Sequence, residues 1–113
     1  MAEPLIDRAV FTELQDTAGA EFVAELLDTF LEEAPRMLDE LRSAHAARQG
    51  ERYRRAAHSL KSNSLTFGAL GLAAMARELE LAAPDAPAGE AAVDALAQEY
   101  ARVAAALKAL RHD

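Results

Sequence analysis

The chain has 113 residues, a formal net charge of −7 and a composition that is 51% hydrophobic but only 5% aromatic. This length suits one domain over residues 1–113, and the alanine- and leucine-rich composition favours helix, so we expect an all-α protein. The excess of acidic residues argues against nucleic-acid binding, and the absence of cysteine excludes thiolate sites. The sequence has no apolar run long enough to span a membrane and no leader-like N-terminus. We therefore expect a soluble cytoplasmic protein without a membrane partner.

Five helices are predicted in chain order. Asp7 is placed to cap a short first helix that ends before Gly19, and a long second helix follows over about residues 20–48. Pro35 lies inside the second helix, where we expect a kink or, as the alternative, a break between two shorter helices. The remaining helices are predicted at about 51–66, with Gly68 closing this one, at 69–83 and at about 90–110, and the stretch PDAPAG before the last is predicted to be a turn.

Four long helices with short connections pack most simply as an up-down-up-down antiparallel bundle, with the short first helix over one end. On the third helix, one side carries the core residues Tyr53, Ala56, Leu60 and Phe67, with Ser64 near its edge. His58 points almost the opposite way and is predicted to be exposed. Its helical neighbours at three, four and seven residues are Arg54, Arg55, Lys61, Ser62 and Leu65.

The positive charge around His58 suits an anion attached to the ring. A phosphoryl group carries nearly two negative charges, and a nearby ammonium or guanidinium can hold it by charge-assisted hydrogen bonds. Before phosphorylation, the same cations disfavour the imidazolium form and so favour a neutral, nucleophilic ring. The alternative is that Arg54, Arg55 and Lys61 form an ordinary solvated face.

Two further features favour a partner-binding surface around the histidine. Ser62 is small and leaves the ring open to an incoming protein, and Leu65 is an apolar residue on the outward side without a core role. The wide apolar arc on the second helix, which includes Phe22 and Leu26, could extend the same docking surface. The alternatives are that these are ordinary surface residues and that the first helix covers the arc.

The stretch HSLKSNSLTFGALGLAAMARELE resembles the signature of histidine-containing phosphotransfer (HPt) domains. The matching positions are His58, Leu60, Lys61, Ser64, Gly68, Ala69, Leu72, Leu79 and Glu80. The preceding FLEEAP segment at residues 30–35 is also similar, so the resemblance covers about residues 20–83. One position departs from the family pattern, because Ser62 stands where the family usually has glycine. Its hydroxyl could bond the imidazole or slow partner docking.

The resemblance implies a four-helix bundle in which His58 accepts a phosphoryl group from the phospho-aspartate of one receiver domain and passes it to an aspartate of another. The charge pattern and side-chain sizes described above predict that Lys61, Arg54, Arg55 and Ser62 support the phosphorylated ring. The resemblance also implies response-regulator receivers and a hybrid sensor histidine kinase as partners, with Mg²⁺ held by the receiver and no cofactor in this chain. A basic patch would complement the acidic pocket of the receiver. We expect a monomeric phosphocarrier rather than an enzyme, since no ATP-binding motif is visible.

Other functions stay open at this point. The same signature occurs in the phosphorylated N-terminal domain of chemotaxis-type histidine kinases, and a helical adaptor without chemistry would have a similar pattern. A haem or metal-binding bundle is disfavoured, because His45 lies toward the apolar side of the second helix, His112 lies in the tail, and neither has ligand spacing to His58. A hydrolase is disfavoured because no nucleophile or carboxylate pair accompanies the histidine.

Overall fold

The computed structural model describes residues 5–82 and 89–111, and within these ranges it contains five helices and no strand. The helices are α1 (Arg8–Ala18), α2 (Ala20–Ala46), α3 (Gly50–Thr66), α4 (Leu70–Leu81) and α5 (Gly89–Arg111). The all-α class is confirmed, and each helix lies within two residues of its predicted bounds. Apart from Gly89, which begins α5, the predicted PDAPAG turn lies outside the described residues.

The four long helices form a ring in which α2 packs against α3 and α5, and α4 packs against the same two helices. Ion pairs join Arg42 to Asp94 and Arg111 to Asp28, so the two ends of α2 meet opposite ends of α5. The complete up-down-up-down order of the bundle stays a prediction.

The core is built from the aliphatic side of every helix. Its fully buried leucines are Leu27, Leu41, Leu60, Leu72, Leu96 and Leu107. Tyr53, Ala56 and Leu60 on α3, and Phe67 directly after it, are buried as predicted. Ser64 is buried as well, and its hydroxyl donates to the Leu60 carbonyl at 2.7 Å, which satisfies its polar atom inside the core. This packing fixes the rotation of α3 and therefore fixes which of its residues face solvent.

The short helix α1 covers the end of the bundle where α3 turns into α4. The Asp7 carboxylate accepts from the Ala9 backbone N–H at 3.0 Å, which confirms the predicted cap, and the Asp7 N–H donates to the Gly68 carbonyl at 2.8 Å. Gly68 has φ of 80°, and a Cβ atom at this residue would lie 2.8 Å from the Asp7 carbonyl oxygen. Glycine is therefore required there by both conformation and space.

Pro35 lies inside α2, which runs as one helix of 27 residues, so the alternative of two shorter helices is wrong. Proline cannot donate a hydrogen bond to the carbonyl four residues earlier, which is that of Leu31. The Tyr100 hydroxyl on α5 donates to this carbonyl at 3.4 Å. A side chain from the neighbouring helix thus supplies a replacement donor and helps α2 to continue through the proline.

Candidate functional site

His58 lies in the middle of α3 with its side chain 54% exposed. The adjacent Ala57 and the nearby Leu60 are completely buried and pack into the core. Because these residues hold the helix backbone in place, the imidazole is presented to solvent from a rigid element. The predicted exposure of His58 is confirmed.

A carboxylate from α4 holds one edge of the His58 ring. Nδ1 of His58 lies 2.8 Å from Oε2 of Glu80, and Nζ of Lys61 lies 2.8 Å from Oε1 of the same carboxylate. The Glu80 side chain is only 13% exposed, so both contacts are partly shielded from water. The hydrogen bonds from Lys61 and then His58 hold the pKa of the Glu80 carboxyl below its usual range. The ionised carboxylate engages Nδ1, which leaves Nε2 as the ring nitrogen that Glu80 does not contact.

The surroundings of Lys61 differ from those that the sequence predicts. The sequence pattern predicts an exposed ammonium available to a phosphoryl group, but the Lys61 side chain is only 22% exposed and is paired with Glu80. The reason is that α4 packs closely along this side of α3 and places the carboxylate within reach. Glu80 belongs to the signature of the resemblance, but helix periodicity assigns no role to its carboxylate. Its position at the Leu-Glu end of that signature was the signal for its importance.

The two arginines near His58 are bound to a carboxylate of their own helix. Nη2 of Arg54 lies 2.6 Å from Oε1 of Glu51, and Nε of Arg55 lies 3.7 Å from the same oxygen. Glu51 therefore neutralises part of the positive charge that the sequence places around the ring. Both arginine side chains remain more than half exposed, so an incoming anion can compete with Glu51 for them.

Ser62 is exposed on the same face as His58. Its carbonyl accepts a hydrogen bond from the Thr66 hydroxyl at 3.1 Å, and no hydrogen bond joins the Ser62 side chain to the imidazole within the described part of the chain. The hydrogen bond that the sequence analysis allowed between the serine hydroxyl and the ring is therefore not present among the described residues.

The three predicted docking residues differ in exposure. Leu65 and Phe22 are 46% and 51% exposed, which leaves both accessible to a partner. Leu26 is half-buried and packs against the core, so it is a less accessible contact than the sequence predicts. It lines a small groove of about 190 Å³ between α2 and α3, together with the buried Phe30 and Phe67. The first helix does not cover Phe22.

Two other histidines are the candidate metal ligands of the sequence. His45 is half-buried, with its ring 6.2 Å from that of Tyr53, and His112 lies outside the described residues. Across residues 5–82 and 89–111, no group of three or more potential ligand side chains is placed to hold a metal ion. In the same ranges no helix has the length and apolarity to cross a membrane.

Comparison with known proteins identifies the class to which this fold and site belong. The sequence model of the Hpt domain matches residues 25–111, which is most of the chain. The chain therefore belongs to the Hpt domain family, the phosphotransfer proteins of phosphorelays.

Among solved structures, the chain is similar to the crystal structure of histidine-containing phosphotransfer protein B (HptB) from Pseudomonas aeruginosa PAO1. The two are 31% identical in sequence and superpose with a TM-score of 0.89 over 98% of this chain and 97% of the other. A comparison with curated proteins gave no match.

Proposed function

We propose that His58 carries a phosphoryl group between two receiver domains, accepting it from the phospho-aspartate of one and passing it to an aspartate of another. The observation that carries this proposal is the contact between His58 Nδ1 and Glu80, on a ring that is otherwise exposed. Membership of the Hpt domain family and the similarity to HptB support the same role. The chain then acts as a phosphocarrier without an ATP site of its own.

The contact with Glu80 favours Nε2 as the reacting nitrogen. When Nδ1–H donates to the carboxylate, the neutral imidazole has its lone pair on Nε2, at the outward edge of the ring. Nε2 attacks the phosphorus of the phospho-aspartate, a P–N bond forms, and the P–O bond to the aspartate breaks with release of its carboxylate. The ring keeps its Nδ1 proton and becomes a positively charged phospho-imidazolium, and the Glu80 carboxylate balances that charge.

The return step is the reverse of the first. A carboxylate oxygen of the second receiver attacks phosphorus, the P–N bond breaks, and the neutral imidazole is restored with its proton still on Nδ1. Glu80 therefore serves both directions by holding one tautomer and one ring orientation. Mg²⁺ is supplied by the receiver in this proposal, and this chain requires no cofactor.

The cations near the ring have different parts in the proposal. Lys61 keeps Glu80 ionised and in place, and it can also turn toward a phosphoryl group on the ring. Arg54 and Arg55 are exposed and can exchange Glu51 for the phosphoryl oxygens or for acidic groups of the partner. Leu65 and Phe22 supply apolar contacts to the receiver beside the reacting ring.

Label transfer tests this function. Receivers phosphorylated with ³²P are mixed with the wild-type chain, with His58→Gln and with His45→Gln as a matched histidine control. Wild type and His45→Gln should take up label in a base-stable, acid-labile linkage, and a second receiver should remove it. Label on His58→Gln at the wild-type rate would contradict the assignment.

A cytoplasmic location and a hybrid kinase as upstream partner stay predictions.

A further inference from the structure

A second groove lies between α2 and α3, and it shares Arg55 with the site described above. Its volume is about 570 Å³, and Ser59, the residue after His58, lies in its wall. Arg55 lines it from α3, and Arg36 and Met37 line it from α2. Ser59 follows His58 in the chain and Arg55 lies one turn before it, so the groove adjoins the part of α3 that carries the ring.

Some of the charged side chains that line this groove are held in ion pairs and others are not. Arg52 also lines it, but its guanidinium is bound by both oxygens of Glu40, with Nε–Oε2 at 2.9 Å and Nη2–Oε1 at 2.7 Å. The hydrogen bond from Arg52 lowers the pKa of the Glu40 carboxyl, as expected of a committed pair. Arg36 makes no ion pair with any residue that the structure describes, and Arg55 reaches Glu51 only at 3.7 Å. The guanidinium groups of Arg36 and Arg55 therefore have N–H donors available to a ligand.

We propose that this groove binds an acidic segment of the receiver partner, with Arg36 and Arg55 donating to its carboxylates. This inference rests on the proposed function and adds the chemistry of the partner at this surface. A guanidinium matches a carboxylate in shape and can donate two parallel hydrogen bonds to it. The rest of the protein is acidic, so a cationic groove beside His58 orients an acidic partner during encounter.

A negatively charged residue in the same groove shows whether the partner segment is acidic or basic. Glu33 lines the groove and forms no ion pair within the described residues. If the partner segment is acidic, the Glu33 carboxylate repels it and Arg36 attracts it. If the segment is basic, both effects reverse. Removing one charge at a time therefore distinguishes the two kinds of partner.

The test measures the second-order rate of phosphoryl transfer from a phospho-receiver to wild type, Arg36→Ala and Glu33→Gln. Arg8→Ala is the control, because Arg8 is also exposed and lies in a different groove with Gly71 and Glu99. Arg36→Ala should transfer about two- to five-fold more slowly than Arg8→Ala at low salt, the range of an exposed charge pair, and the difference should shrink as salt is added. Glu33→Gln should transfer faster than wild type.

Phosphoramidate supplies the second readout. In this reaction Nε2 attacks phosphorus, the P–N bond of phosphoramidate breaks and ammonia leaves, so no protein partner is involved. Arg36→Ala should react at the wild-type rate, because the groove contacts the partner and not the ring. Equal transfer from the receiver to Arg36→Ala and Arg8→Ala would overturn the inference, as would faster transfer to Arg36→Ala. Wild type that gains label from phosphoramidate but from no receiver would instead overturn the proposed function.

Discussion

Replacing Glu80 by glutamine tests how the carboxylate acts on His58. Glutamine retains an oxygen that can accept from Nδ1–H, but it removes the negative charge that lies 2.8 Å from both His58 Nδ1 and Lys61 Nζ. A hydrogen bond to a charged group is worth about a ten- to hundred-fold change in an equilibrium or rate. Glu80→Gln should therefore slow transfer to His58 about ten-fold, and Glu80→Ala, which also loses the acceptor, about a hundred-fold.

The assay compares the phospho-receiver and phosphoramidate as donors. Both rates should fall together, because Glu80 acts on the imidazole and not on the partner. Glu78→Gln is the matched control, since Glu78 is exposed two residues earlier on α4 and its replacement changes the net charge equally. If Glu80→Gln reacts as fast as Glu78→Gln with both donors, the carboxylate does not position or stabilise the ring.

The same contact has a pH dependence. The pKa of the Glu80 carboxyl lies below its ordinary value of 4.5, mainly through the hydrogen bond from Lys61 and next through that from His58. A lowered pKa in the folded state means that the stabilisation is present above pH 4.5 and is lost as the pH falls through the folded value. The difference in urea midpoint between wild type and Glu80→Gln should shrink from about pH 5 toward about pH 3. A constant difference across this range would refute that linkage.

Three further substitutions separate the roles of neighbouring residues. Lys61→Ala should leave the helical circular dichroism unchanged but shorten the half-life of phosphohistidine or slow transfer, and an unchanged half-life with an unchanged rate would remove Lys61 from the mechanism. Ser62→Gly should transfer at least as fast as wild type despite a helix cost of about 0.5–1 kcal/mol, so a large loss in a folded protein would give the hydroxyl a role. Gly68→Ala should lower the free energy of unfolding by about 2–4 kcal/mol, measured with urea, because alanine disfavours positive φ and its Cβ would meet Asp7. A loss under about 0.5 kcal/mol would show that the turn adjusts freely.

Local sequence patterns predicted most of the fold. Helical spacing of apolar residues identified all five helices, and Asp7 and Gly68 were correctly assigned to a helix start and a helix end. These features depend on residues a few positions apart, where helix geometry fixes which side chains are neighbours. The outward direction of His58 followed from the same geometry.

The contacts that define the site could not be predicted from local sequence patterns. His58 and Glu80 are 22 residues apart, and their distance depends on how α3 packs against α4. The placement of Arg36 and Arg55 in one groove depends in the same way on the packing of α2 against α3. Periodicity gives the face of each helix but not the register between helices, so the sequence could name the cations near His58 without showing which carboxylates bind them.

The state of the imidazole in the phosphorylated protein tests the central claim most directly. The ¹⁵N-labelled chain is phosphorylated, and its His58 ring is examined by long-range ¹H–¹⁵N correlation and ³¹P coupling. We expect phosphorus on Nε2, with a proton retained on Nδ1 and shared with Glu80. Phosphorus on Nδ1, or a labelled protein in which His58 is unmodified, would contradict the account.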